Sequence, residues 1–192
     1  IEVADNSSLD FGANNFTVEY WFRKNNITTG YDNIWGVNKW NTGGTPGTNE
    51  WGLDIGNGLS GNGESIVFGV ESSSTTYAMI VNNYPQTYLW NQLVGIRSGS
   101  ELLLYLNGAM IGSSSPSSFT SSTSVNNVGR TLRIANSNLN NYYTQTDSSI
   151  VRIYRQALSA DEVKQNYDAT KKRYEYDVPI VTDGLIINLD AG

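Results

Sequence analysis

Carboxylates have the clearest claim to chemistry in this chain, because a retaining glycoside hydrolase needs two of them about 5 Å apart. Glu50 and Asp54 come nearest to such a pair, in the run Glu50-Trp51-Gly52-Leu53-Asp54. On a strand that spacing puts both acids on one face, but about 13 Å apart at roughly 3.3 Å per residue. Glu19 and Glu101 stand alone in their own apolar runs and read as solvent-facing strand acids. The 192 residues include no His and no Cys. That removes the commonest general base, the usual zinc ligands, every Ser-His-Asp triad and all disulfides. The carboxylates are therefore expected to do no hydrolysis.

The elements that would carry these side chains are strands. Leu89 to Gly112 holds two strand-turn-strand signals in succession: Trp90 to Arg97, a polar turn at Ser98-Gly99-Ser100, Glu101 to Leu106, then Asn107-Gly108 before a return at Ala109 to Ile111. Asn-Gly suits the positive φ angles of a two-residue type I′ turn. Phe16 to Phe22 alternates, with Phe16, Val18, Tyr20 and Phe22 on one face and Thr17, Glu19 and Trp21 on the other. The first four, with Val94, Ile96, Leu104 and Leu106, are expected in one sandwich core. Further strands are read at Ile1 to Val3, Asn33 to Asn38, Trp51 to Ile55, Ser65 to Glu71, Tyr77 to Val81, Thr131 to Ala135 and Ile150 to Tyr154. Asn41 to Asn49 is read as a surface loop, and Ser113 to Ser124 as an exposed Ser/Thr-rich one.

One helix start has a mechanism. Ser159 stands three residues before Glu162, which is the capping-box spacing, and Leu158 and Val163 are placed as a hydrophobic staple. The helix is expected from Ala160 to about Thr170, with Lys171, Lys172 and Arg173 suited to its negative end. Length and composition bound the rest. The chain is long enough for one sizeable all-β sandwich, and its aromatics, frequent Gly and scarce Pro are those of a folded β protein. A net charge of −6 argues against nucleic acid and against an anionic membrane as partners. No apolar run reaches the length of a membrane span, and no charged-then-apolar leader opens the sequence. Ile1 is read as an internal residue of a longer polypeptide.

Three stretches together resemble laminin-G-like domains of the concanavalin A-like lectin/glucanase superfamily. They are Ser8-Leu9-Asp10-Phe11-Gly12 with Asn15-Phe16-Thr17-Val18-Glu19-Tyr20-Trp21-Phe22, the Tyr105-Leu106-Asn107-Gly108 hairpin, and Val151-Arg152-Ile153-Tyr154-Arg155-Gln156-Ala157-Leu158-Ser159-Ala160-Asp161-Glu162-Val163. The resemblance implies an antiparallel jelly-roll sandwich. The ending Asn166-Tyr167-Asp168-Ala169-Thr170-Lys171-Lys172-Arg173 is similar to versions in tail-fibre and capsid-surface proteins of marine bacteriophages.

The resemblance also carries functional expectations. The glucanases of the superfamily carry Glu-x-Asp-x-Glu on one strand, a motif this chain lacks. Calcium, which related folds often bind, would find hard oxygen ligands at Asp54, Asn57 and Glu64, with Asp147 as a further acid. A glycan would be met by aromatic faces and Asn side chains in loops, for which Trp40, Asn57, Tyr142 and Tyr143 are the candidates. The expected role is a non-enzymatic module on a virion surface, in contact with host glycans and with neighbouring virion subunits. A purely structural decoration protein and a secreted bacterial adhesin are the alternatives. Residues 1–172 are read as the sandwich, 173–182 as a connector and 183–192 as the opening strand of a following repeat.

Overall fold

The computed structural model of the chain describes residues 1–25, 34–40, 50–55, 65–82, 88–126, 128–136 and 146–174, without the side chains of Ile34 and Trp35. The expected opening strand at 183–192 lies outside the described residues. Among those described, eleven strands run in chain order as β1 (Glu2–Val3), β2 (Phe16–Lys24), β3 (Ile34–Asn38), β4 (Trp51–Ile55), β5 (Ile66–Ser72), β6 (Thr75–Val81), β7 (Trp90–Ser98), β8 (Glu101–Leu106), β9 (Ala109–Ser114), β10 (Leu132–Ile134) and β11 (Thr146–Tyr154), followed by the helix α1 (Ala160–Lys171). They form two antiparallel sheets. One has six strands in the order β1-β10-β3-β4-β5-β6, and the other has five in the order β11-β2-β7-β8-β9.

The core between the sheets follows the alternation of the strands. Phe16, Val18, Tyr20 and Phe22 from β2 meet Trp51, Leu53 and Ile55 from β4 and Ile66, Phe68 and Val70 from β5. Leu102 and Leu104 contribute from β8, and Leu106 packs against the same cluster partly buried. The two-residue turn at Asn107 (φ 51°) and Gly108 (φ 78°) has the positive angles its sequence announces.

The phase of β7 differs from expectation. Leu93 faces the inter-sheet core, whereas Val94 and Ile96 turn outward into a second cluster with Tyr105, Leu158 and Val163. The reason is steric and compositional. Gly95 gives its place to Phe68, whose Cδ2 would lie 2.4 Å from any Cβ there, and α1 covers the far side of the strand. Both faces of β7 are buried, so its apolar pattern has no single phase.

The helix has the capping box its sequence encodes, with the Ser159 side chain accepting from the Glu162 N–H and the Glu162 side chain accepting from the Ser159 N–H. Leu158 and Val163 are both buried against the outer face of the five-stranded sheet. The Ser/Thr-rich run is also better anchored than a loop on the surface. Phe119 is buried beside Tyr77 and under the Arg97 guanidinium, 4.9 Å from its ring. Arg97 in turn donates to the carbonyls of Gly12 (2.8 Å) and Thr123 (2.5 Å).

The pairing registers fix which strand ends lie together. Ile34 pairs with Ile55 and Ile66 with Val81, while Ala135 donates to the Gly36 carbonyl. The ends of β4, β6 and β10 and the starts of β3 and β5 therefore share one end of the six-stranded sheet. Trp40 leaves β3 at the other end, because Asn38 pairs with Gly52.

Candidate functional site

Beyond β3 the ladder continues, with the Lys39 N–H donating to the Trp51 carbonyl at 2.9 Å, and this sets down Lys39 and Trp40 side by side. The Trp40 indole leans back over the outer face of the six-stranded sheet. It fills the space above Gly52 and Gly69, where a Cβ on Gly52 would lie 1.4 Å from Nε1 and one on Gly69 3.1 Å from Cζ2. Only glycines leave room for it. The indole N–H donates to Asp54, whose Oδ1 also accepts from the Gly36 N–H at 2.9 Å and from Asn38 Nδ2 at 3.3 Å. Asp54 is buried, and burial pushes its carboxyl up to about 7 against the pull of these donors. The described donors are all neutral. Trp40 is half-buried as a residue, and Gly52, Gly69 and Asp54 fix its ring in one orientation.

A different group assembles around Lys39, whose ammonium is fully buried. Its Nζ stands 2.7 Å from Asp5 Oδ1, 2.7 Å from Glu50 Oε2 and 3.5 Å from Asp10 Oδ1. The other Glu50 oxygen accepts from the Val128 and Arg130 N–H groups at 3.1 and 3.2 Å. Burial works against the Lys39 charge, but its hydrogen bonds to Asp5 and Glu50 outweigh it and raise the Lys39 pKa. The N-terminal segment, both roots of the 41–49 connection and the approach to β10 are thereby tied to one cation.

On the opposite side of the sandwich the charge is reversed. Glu19 is buried under α1, and its Oε1 accepts from Trp21 Nε1 (2.9 Å), Gln92 Nε2 (3.0 Å) and Arg152 Nη1 (2.6 Å). Its Oε2 accepts from Asn166 Nδ2 at 3.1 Å, a residue of α1. This corrects the expectation of solvent-facing strand acids for Glu19, which is inside as Glu50 is, while Glu101 is exposed as expected. The outer face of β2 is covered because the stapled helix needs a surface to lie on. The clue in the sequence is Trp21 on the same face as Glu19.

These placements decide the carboxylate chemistry available. Glu19 and Asp54 lie on opposite outer faces of the sandwich and form no pair. Asp5, Asp10 and Glu50 offer ligand oxygens all within 4.8 Å of one another, which is the spacing of a metal site. Lys39 Nζ sits among them, however. Calcium takes six to eight oxygens at about 2.3–2.6 Å, and the ammonium already holds the space those oxygens enclose. The side chains present do not fit calcium there, nor do they leave room for a glycosidic oxygen between two carboxyls.

Of the candidate ligands, Trp40 and Asp54 are brought together, with Asp54 accepting from the indole N–H at the edge of the ring. Asn57, Glu64, Tyr142 and Tyr143 lie outside the described residues. The described residues that flank Asn57 and Glu64, Ile55 and Ser65, stand at the end of the six-stranded sheet opposite the one where Trp40 leaves β3. Asp147 is engaged elsewhere, paired with Arg23 at 2.8 Å, and the hydrogen bond from that guanidinium lowers its pKa. Sequence reasoning missed Lys39, Asp5 and Asp10, which no periodicity connects.

Residues 1–164 match the family described as the concanavalin A-like lectin/glucanases superfamily. No curated protein matches the chain in sequence. Among solved structures, the binding domain of Paraclostridial Mosquitocidal Protein 1 is similar at 17% identity with a TM-score of 0.63, over 88% of this chain and 40% of that one. The binding domain of botulinum neurotoxin serotype G is similar at 14% identity and 0.63, over 88% and 40%. Domain 4 of AbnA, a GH43 extracellular arabinanase from Geobacillus stearothermophilus solved in complex with arabinotriose, is similar at 16% identity and 0.59, over 85% and 70%. The chain thus spans about two-fifths of the toxin binding domains, and these likenesses are of fold.

Proposed function

We propose that this chain, which belongs to the concanavalin A-like lectin/glucanases superfamily over residues 1–164, is a non-enzymatic glycan-binding module whose ligand lies across the outer face of the six-stranded sheet. The observation that carries this is Trp40. Its ring is fixed by Gly52, Gly69 and Asp54 and the residue is half-buried, so the aromatic surface a sugar ring needs is set in place before any ligand arrives. Asn57, Tyr142 and Tyr143 are proposed as further contacts from the sequence alone, as polar and aromatic residues of Gly- and Asn-rich stretches. Support for a binding role without turnover comes from the acids, because Glu19 is paired with Arg152 and Glu50 with Lys39.

A glycan array followed by calorimetric titration of the best ligand tests this reading. Trp40→Ala is expected to abolish binding and Trp40→Phe to weaken it, with both variants folded by circular dichroism. Full affinity in a folded Trp40→Ala variant sinks the site. Sustained release of reducing ends from a β-glucan, abolished by Glu50→Gln, sinks the non-enzymatic role.

For the setting we read a virion surface, as a tail-fibre or capsid-decoration module. The sequence alone supports it, through the ending Asn166 to Arg173. Mass spectrometry that finds the polypeptide in a bacterial secretome and not in purified particles would replace this setting with that of an adhesin.

A further inference from the structure

We infer that the Lys39 ammonium stands where a divalent cation would otherwise be bound, so that the chain carries its own cation at this point and replacing Lys39 by a neutral oxygen ligand opens a calcium site. Three features of the geometry argue for it. The carboxylates come from separate parts of the chain, Asp5 and Asp10 from the N-terminal segment and Glu50 from the root of β4, yet their oxygens gather within 4.8 Å. Carboxylates gathered this closely need a cation or a shared proton among them, and here an ammonium is in place. The Lys39 Nζ is that cation, in contact with two carboxylates at 2.7 Å and with the third at 3.5 Å. Finally, the Glu50 oxygen that does not face Lys39 is fixed by the Val128 and Arg130 N–H groups, as a ligating carboxylate is fixed by its outer shell.

The difference between the two cations is functional. A covalently tethered ammonium cannot be removed by a chelator or lost in dilution, whereas a bound ion can. Trp40 follows Lys39 directly in the chain, so the residue that fixes the root of the proposed glycan site needs no metal. The inference itself does not depend on the glycan reading, since its readout is metal binding.

The test compares melting temperatures of the wild type, Lys39→Gln and Lys39→Gln/Asp5→Asn in millimolar CaCl2 and in EDTA. Lys39→Gln keeps a side chain of similar volume and adds an oxygen. It is expected to melt below the wild type in EDTA and to gain on the order of 5–10 °C when calcium exceeds Kd a hundredfold. That gain disappears in Lys39→Gln/Asp5→Asn. If Lys39→Gln does not fold in EDTA, refolding in calcium replaces melting as the readout, and recovery supports the inference while failure overturns it. A folded Lys39→Gln variant with no response to calcium overturns it. So does a calcium-dependent rise in the wild type that Asp5→Asn removes.

Discussion

The two polar centres of this sandwich are built with opposite signs. On the five-stranded sheet a buried anion, Glu19, is ringed by donors from β2, β7, β11 and α1. On the six-stranded sheet a buried cation, Lys39, is ringed by acceptors from the N-terminal segment and from the root of β4. Of the donors to Glu19 only Arg152 carries a charge, so its charge is spread over hydrogen bonds and a single ion pair. Lys39 instead separates three carboxylates that would repel one another without it. The first centre resembles a clamp that fastens the helix, and the second a counter-charge whose removal leaves a worse problem than an empty place. Asp54 supplies the intermediate case, a buried carboxylate whose described donors are all neutral.

Removing the cation should therefore do the greatest damage. Lys39→Met is expected to cost about 3–5 kcal/mol in urea unfolding, the usual result of breaking one side of a buried ion pair. Adding Glu50→Leu should recover part of that loss, since it removes the stranded buried charge. A loss no greater than that of Glu19→Gln would break the comparison.

Asp54 comes next, and its effect depends on pH. Its folded pKa of about 7 lies above the ordinary value of 3.8, so the proton it binds stabilises the folded state. That stability is fully present below 3.8 and is lost as pH rises through about 7. Asp54→Asn should remove the slope. The variant should gain on the wild type by about 1.4 kcal/mol for each pH unit across the middle of this window. Parallel stability–pH curves for the two proteins would show that the carboxyl titrates normally.

Glu19→Gln keeps an acceptor and loses the charge, which should cost about 1.5–3 kcal/mol, the range for hydrogen bonds to a charged group. Hydrogen exchange should then show α1 opening ahead of the sheets, because the loss falls on the centre that fastens it. Uniform loss of protection across the sandwich would make Glu19 a core residue and not a clamp. The smallest effect is that of Ser159→Ala, which removes the helix cap at about 1 kcal/mol and leaves both centres intact.

What the sequence discloses divides along the same line. The Asn107-Gly108 turn, the capping box at Ser159 and the inner face of β2 are local patterns, and the structure has each where its residues announce it. The phase of β7 was not legible because Val94 and Ile96 are covered as thoroughly as Leu93, and alternation carries information only when one face is wet. The burial of Glu19 depends on a helix more than a hundred residues later. Asp5 and Asp10 lie outside the strands and Lys39 and Glu50 just beyond strand ends, so the Lys39 centre left no periodic trace. Trp40 was readable as a loop-edge aromatic, but its seat on Gly52 and Gly69 was not.

The position of α1 bears on how such a module can be exchanged between genes. The match to the family ends at residue 164, part-way along a helix that continues to Lys171. Past that point Asn166 still reaches Glu19, Tyr167 stacks on Trp21, and Tyr174 lies 4.5 Å from the Trp90 ring and 5.0 Å from that of Trp21. A recombination joint placed at the family boundary would strip the cover from two tryptophans and a buried acid. Shuffled into a new polypeptide, the unit that travels intact extends at least to Tyr174.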